Sequence, residues 1–151
     1  MPDSKVKAAI QNLHEIGKNN RQSITAPRVY VMEIIAGSTK PLTAYEILDT
    51  LGEKLKKPKP PTVYRALDFL VEHGLIHRIE SINSYILCEE NHKHSGSQFI
   101  ICDSCGHAKE IHFCHLPKEL ESRISGEGFA MAYWNVEIHG RCSKCNQTDD
   151  L

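Results

Sequence analysis

Residues 60–88 read PPTVYRALDFLVEHGLIHRIESINSYILC, and this stretch decides the fold. It emerges from a basic, proline-rich connector, Lys54-Leu55-Lys56-Lys57-Pro58-Lys59-Pro60-Pro61. A residue preceding proline avoids helical angles, so the next helix cannot start before about Pro61. From there Val63, Ala66, Leu67, Leu70 and Val71 recur at i, i+3, i+4, i+7 and i+8, the core-facing side of a helix. Tyr64, Arg65, Asp68 and Glu72 lie away from that side, and His73-Gly74 closes the helix. Two strand-like runs follow at once, 75–80 and 84–88, with Ser81-Ile82-Asn83 as the turn between them.

Three helices are expected upstream. Residues 4–20 carry Val6, Ile10, Leu13 and Ile16 at helical spacing, with Asn19-Asn20 as a stop. A second helix begins near Thr25, whose hydroxyl can cap it. Pro27 suits its first turn and Gly37 ends it. Thr43-Ala44-Tyr45-Glu46 matches a capping box, with Leu42 and Ile47 as its hydrophobic staple and Ile47, Leu48, Leu51 and Leu55 as the buried stripe. Helices followed by a hairpin are the order of a winged helix-turn-helix, predicted over residues 1–84. Downstream, 89–96 is polar and histidine-bearing, a hinge set at about 85–97. Strands are expected at 98–101, 108–112 and 129–139, a helix at 117–125, and a loose polar tail at 146–151. The fold class is therefore α+β, a winged-helix domain followed by a small α/β domain over 85–151.

Composition narrows the function. The 151 residues are 40% hydrophobic and 25% charged, an ordinary globular balance that excludes collagenous and wholly disordered chains. No apolar run can span a bilayer, and the first residues show no signal-peptide core, so the expectation is a cytoplasmic protein without a membrane partner. The net charge of −1 hides an asymmetry. Residues 1–80 hold 12 Lys/Arg against 9 Asp/Glu, or +3, while residues 81–151 hold 6 against 10, or −4. A polyanion would meet the front half. Six Cys and nine His in such a compartment read as metal ligands rather than disulfides.

Cys102-Asp103-Ser104-Cys105 and Cys142-Ser143-Lys144-Cys145 form a CxxC pair. A two-residue spacer lets both sulfurs of one knuckle reach one ion, and two knuckles complete a tetrahedral Zn²⁺ shell. A redox CxxC or buried thiols are the alternatives, and paired knuckles make coincidence a poor explanation. A second cluster, His77, Cys88, His92, His94 and Glu110, scatters over three segments near the hinge. It would make a mixed S/N/O zinc site if those segments meet. Spacing alone favours the plainer reading, with an exposed His77, solvated loop histidines and Cys88 as a small buried hydrophobe. Tyr45, Thr62, Tyr64 and Arg65 sit where a helix-turn-helix meets a DNA groove, and Arg can bind guanine through two hydrogen bonds. Arg28 and Lys59, with Lys18, Arg21, Lys54, Lys56 and Lys57, could neutralise phosphates, although for any single lysine a solubilising face is the safer reading. There is no phosphate-binding glycine loop, GxSxG or HExxH, so neither an enzyme nor a small-molecule substrate is expected.

With these motifs in place, the chain resembles the ferric uptake regulator superfamily over nearly its whole length. The resemblance rests on Thr25-Ala26-Pro27-Arg28, Pro61-Thr62-Val63-Tyr64-Arg65-Ala66-Leu67, Gly74-Leu75-Ile76, Cys102-xx-Cys105-Gly106 and Gly140-x-Cys142-xx-Cys145. Ser81-Ile82-Asn83-Ser84-Tyr85-Ile86-Leu87-Cys88 is similar to the zinc uptake regulator branch in particular. The resemblance implies a homodimeric winged-helix repressor whose zinc-loaded form binds operator DNA of zinc-uptake genes, with residues 85–151 dimerising. It implies two Zn²⁺ per subunit. One is structural, at Cys102, Cys105, Cys142 and Cys145. The other is regulatory, at His77, Cys88, Glu110 and a loop histidine, His94 or else His92. Iron- and peroxide-sensing relatives usually carry a further histidine before the last CxxC, where this chain reads Tyr133-Trp134-Asn135. An iron- or peroxide-responsive regulator is the alternative, opposed by the thiolate at Cys88. A zinc-stabilised enzyme is the more distant one, for which no nucleophile–base pair is present.

Overall fold

The computed structural model describes residues 4–89, 96–111 and 115–147. The chain divides into two compact units, residues 1–91 and 92–151. The break falls later than the predicted boundary after residue 84, because Ser84–Leu87 is a strand of the first unit's own sheet.

In the first unit, α1 (Ser4–Asn19) and α2 (Ala26–Ala36) lead to β1 (Leu42–Thr43) and α3 (Ala44–Leu51). The connector then delivers α4 (Pro60–Glu72), followed by β2 (Ile76–Ile79) and β3 (Ser84–Leu87). The capping box forms as expected. Thr43 Oγ1 accepts from Glu46 N at 3.2 Å, and Glu46 Oε2 accepts from Thr43 N at 2.7 Å. Two free N–H groups of α3 are thereby satisfied within four residues of sequence. Thr25 stands at the N-cap of α2, but its side chain makes no capping hydrogen bond. Leu13, Val31, Ile47, Leu51, Leu67 and Leu70 are fully enclosed where the helices meet.

Two details depart from the periodic reading. Val71, expected in the core, is 40% exposed, whereas Phe69 is 5% exposed. The buried arc of α4 is turned toward Phe69. Second, the hairpin is a three-stranded sheet in the order β1-β3-β2, with Leu42 opposite Tyr85 and Thr43 opposite Ser84. A two-residue strand is too short to leave a period in the sequence. The turn between β2 and β3 is a short 3₁₀ segment, Glu80–Ile82, closed by Asn83 at φ 45°. Asn tolerates that left-handed conformation better than most residues.

The second unit is a three-stranded sheet in the order β5-β4-β6, built from β4 (Gln98–Cys102), β5 (Ala108–Glu110) and β6 (Val136–Gly140). Helix α5 (Lys118–Gly126) lies on the connection, and α6 (Ser143–Asn146) follows β6. The expected strand 129–139 is shorter than its apolar content implied, since pairing begins only at Val136. The far end of the expected strand 108–112 and of the tail lies outside the described residues. Phe99 and Ile101 point to the buried side of β4, and Ile100 to the exposed side.

Candidate metal centres and nucleic-acid interface

The four knuckle cysteines are brought together by strand direction. β4 and β6 run parallel, with Ile100 opposite Ile138 and Cys102 opposite Gly140. Parallel neighbours end at the same level, so the turns that leave them stand side by side. Asp103 N donates to Gly140 O at 2.9 Å and carries the pairing one residue into the first knuckle. There Gly106 N returns to Cys102 O at 2.9 Å, with Gly106 at φ 75°, a left-handed value suited to glycine. The second knuckle turns through α6, whose N-cap is Cys142.

The outcome is one pocket of sulfur. The Sγ atoms of Cys102, Cys105, Cys142 and Cys145 all lie within 4.8 Å of one another. Cys105 Sγ and Cys142 Sγ are 3.8 Å apart. A tetrahedron with Zn–S of about 2.3 Å has edges of about 3.8 Å, so the spacing fits zinc. Cys142 N donates to Cys102 Sγ at 3.3 Å. That N–H and those of Cys105 and Ser104 hold the Cys102 thiol down to about 6, so it is poised as a thiolate. Cys145 is pushed up to about 12 by the Cys142 and Cys102 side chains. Four thiols this close cannot all ionise unless a cation shares them. His139, to which spacing assigned no role, braces the first knuckle, with Nδ1 at 2.8 Å from Asp103 Oδ1.

His77 lies in β2 opposite Ile86, and Cys88 follows β3 directly, its N–H donating to Leu75 O at 3.0 Å. Adjacent strands thus present an imidazole and a thiol at one end of the sheet, with ligand atoms within 4.8 Å. Both residues are half-buried. Cys88 is therefore not the enclosed hydrophobe of the plainer reading, nor is His77 an exposed strand residue. Glu110 closes β5 in the second unit, opposite Phe99 and half-buried. His92 and His94 lie outside the described residues.

On the first unit, α3 and α4 display the expected polar set. Tyr45 is 77% exposed and Tyr64 45% exposed. Arg65 is exposed on the second turn of α4, Thr62 is half-buried on the first, and Lys59 is its exposed N-cap. Arg28 differs. Its guanidinium carbon lies 3.8 Å over the Phe69 ring and its Nη1 donates to Ser23 O at 2.8 Å. Lys54 also has a partner, Glu33 Oε2 at 2.8 Å. Neither contact had a signal in local spacing, because each joins separate helices or loops.

The family model described as "Ferric uptake regulator family" matches residues 19–139. The zinc uptake regulation protein of Escherichia coli K12 is 38% identical over 128 residues, covering 83% of this chain and 74% of that protein. A zinc uptake regulator solved in complex with zinc and DNA superposes with a TM-score of 0.89 at 32% identity, covering 99% of this chain and 100% of the other. Holo XcZur superposes with a TM-score of 0.80 at 34% identity, covering 93% and 98%.

Proposed function

The chain belongs to the ferric uptake regulator family, and on that premise we propose that it is a zinc-responsive transcriptional repressor, not an enzyme. A zinc-loaded homodimer would bind operator DNA ahead of zinc-uptake genes. The observation that carries this reading is the likeness, over 99% of the chain, to a regulator solved with both zinc and DNA. Among the described residues no helix is long and apolar enough to cross a membrane. A cytoplasmic location suits a DNA-binding protein with clustered thiols.

We assign each unit a role, DNA binding to the first and dimerisation to the second. Ile100 and Ile138, paired across β4 and β6, are 42% and 51% exposed, and Phe129 and Tyr133 are 67% and 69% exposed. Apolar exposure of this extent, on the sheet and on the segment leading into β6, supports a second copy of the chain as its cover. DNA would be met by Tyr45, Thr62, Tyr64, Arg65 and Lys59, with Arg65 reading a purine and Lys59 holding phosphate.

Two zinc ions per subunit are proposed. Cys102, Cys105, Cys142 and Cys145 would hold the structural one. The sensing set would be His77, Cys88, Glu110 and one of His94 and His92. Support comes from the closeness of His77 to Cys88 and from the donor types, one thiolate, imidazole and carboxylate, which suit Zn²⁺. Bound zinc cross-links its ligands. Since His77 and Cys88 belong to the first unit and Glu110 to the second, zinc would favour one arrangement of the two recognition helices over the many that metal-free protein samples. The test is DNA binding against buffered free zinc, using a duplex enriched from a random pool. Saturable binding that follows free zinc is expected. Affinity independent of zinc, or following Fe²⁺ instead, refutes the reading.

A further inference from the structure

Arg28, Phe69, His73 and Gln22 form a ring of contacts that closes through Ser23 of the loop between α1 and α2. Arg28, on the first turn of α2, lays its guanidinium 3.8 Å over the Phe69 ring and donates to Ser23 O at 2.8 Å. The Phe69 and His73 ring centroids are 4.4 Å apart, tilted by 53°. His73 Nε2 and Gln22 Oε1 are 3.1 Å apart, with the ring N–H donating. The chain of contacts thus leaves the α1–α2 loop at Ser23, crosses α4, and returns to the same loop at Gln22.

Its place on α4 gives the ring meaning. Arg65 and Phe69 stand at i and i+4 on one ridge of α4, and His73, at i+8, is the helix's C-cap. The ring clamps Phe69 on that ridge and the C-cap that follows it, one turn beyond the proposed base reader. The clamp lies on the side toward which the helix is rolled. Periodicity would bury Val71, yet Val71 is 40% exposed and Phe69, under the Arg28 plane, is 5% exposed. About five degrees of roll move an Arg tip roughly 9 Å from the helix axis by about 0.8 Å, on the scale of misplacement that spoils an oriented contact, so roll sets aim.

We infer that Arg28 is a positioning residue, which fixes the roll of α4 through Phe69 and so aims Arg65, rather than a contact to DNA phosphate. This rests on the DNA-binding reading above. A phosphate contact releases a counterion and adds to the salt slope of binding, whereas a brace inside the protein does not.

The test compares zinc-loaded wild type, Arg28→Ala, Arg28→Lys and Phe69→Leu on two duplexes, one enriched from a random pool by the wild type and one scrambled. Affinity is measured across a salt series, with thermal melting of each variant. The inference expects Arg28→Ala to weaken the enriched duplex by about tenfold, the scale of one partly desolvated cation–π contact, with little change on the scrambled one. The slope of log K against log salt should stay at the wild-type value. Arg28→Lys should not restore affinity, because an ammonium cannot both cover the ring and keep the planar donor at Ser23 O. Phe69→Leu, which keeps an apolar side chain but removes the ring, should behave like Arg28→Ala, and the double variant should lose little more. A salt slope shallower by about 0.9 with rescue by lysine would make Arg28 a phosphate contact and overturn the inference. Equal losses on both duplexes that track a lower melting temperature would overturn it too, leaving Arg28 a general stabiliser. If the wild type enriches no duplex, the DNA-binding reading fails and the inference with it.

Discussion

Arg65 and Cys142 show how differently single side chains act in this protein. Arg65 is exposed and its value would appear only against a base edge. Arg65→Ala should therefore leave folding intact and cost roughly 1–3 kcal/mol on the enriched duplex, with much less on random DNA. Titrating both duplexes checks this, and equal losses would reduce Arg65 to a phosphate contact. Cys142 is committed inside its own unit, with its sulfur 3.8 Å from that of Cys105 and its N–H on Cys102 Sγ. Structural zinc is itself folding free energy. Cys142→Ser should lose one zinc per subunit and with it the folded, dimeric second unit, read by metal analysis and sedimentation. A folded dimer lacking that ion would refute the structural role.

Elements depend on contacts that cross them. At the entry to β4, Gly96 has φ 127°, and a Cβ there would come within 1.7 Å of Trp134 O. Next to it Ser97 N donates to Asn135 Oδ1 at 3.0 Å, and Val136 N donates to Ser97 O at 2.9 Å. The start of β4 is thus seated directly on the start of β6. Gly96→Ala cannot keep both the backbone angle and this approach, so the parallel pair should open from that end. We expect a lower melting temperature for the second unit and weaker hydrogen-exchange protection at Val136, while the first unit is unchanged. Unaltered protection would show that the strands tolerate the displacement. In the first unit, Thr43→Ala removes the capping oxygen of α3 and should cost about 1 kcal/mol, visible as a shift in thermal or urea unfolding.

At the scale of the whole molecule, the question is whether the second metal set acts separately from the first. Cys88→Ser changes volume little but exchanges a thiolate for a poor zinc ligand. The knuckle cysteines are untouched, so the structural ion and the dimer should persist. DNA binding should then require far higher free zinc. Glu110→Ala and His77→Ala should act alike if all three residues serve one ion, and double variants should lose little more than single ones. Metal content and DNA affinity measured on the same samples separate the possibilities. One ion fewer per subunit with an unchanged zinc requirement for DNA binding would disprove the sensing role.

What the sequence alone determined lies within about one helical turn or one knuckle. The Thr43–Glu46 box, the amphipathic periods of α1 and α4, and the two-residue spacers of the CxxC pairs involve residues at most a few positions apart, whose geometry local backbone rules fix. The winged-helix order and the sulfur chemistry were legible for that reason. Tertiary structure decided which distant partners meet. Leu42–Thr43 is a strand only because Ser84 and Tyr85 lie beside it. Phe69 rather than Val71 is buried, and Arg28 from another helix lies over its ring. The two knuckles form one site only because β4 and β6 pair in parallel, so that turns far apart in the chain leave the sheet at the same edge. A hydrogen bond or a packed ring depends on what stands opposite, and no spacing within one segment specifies that.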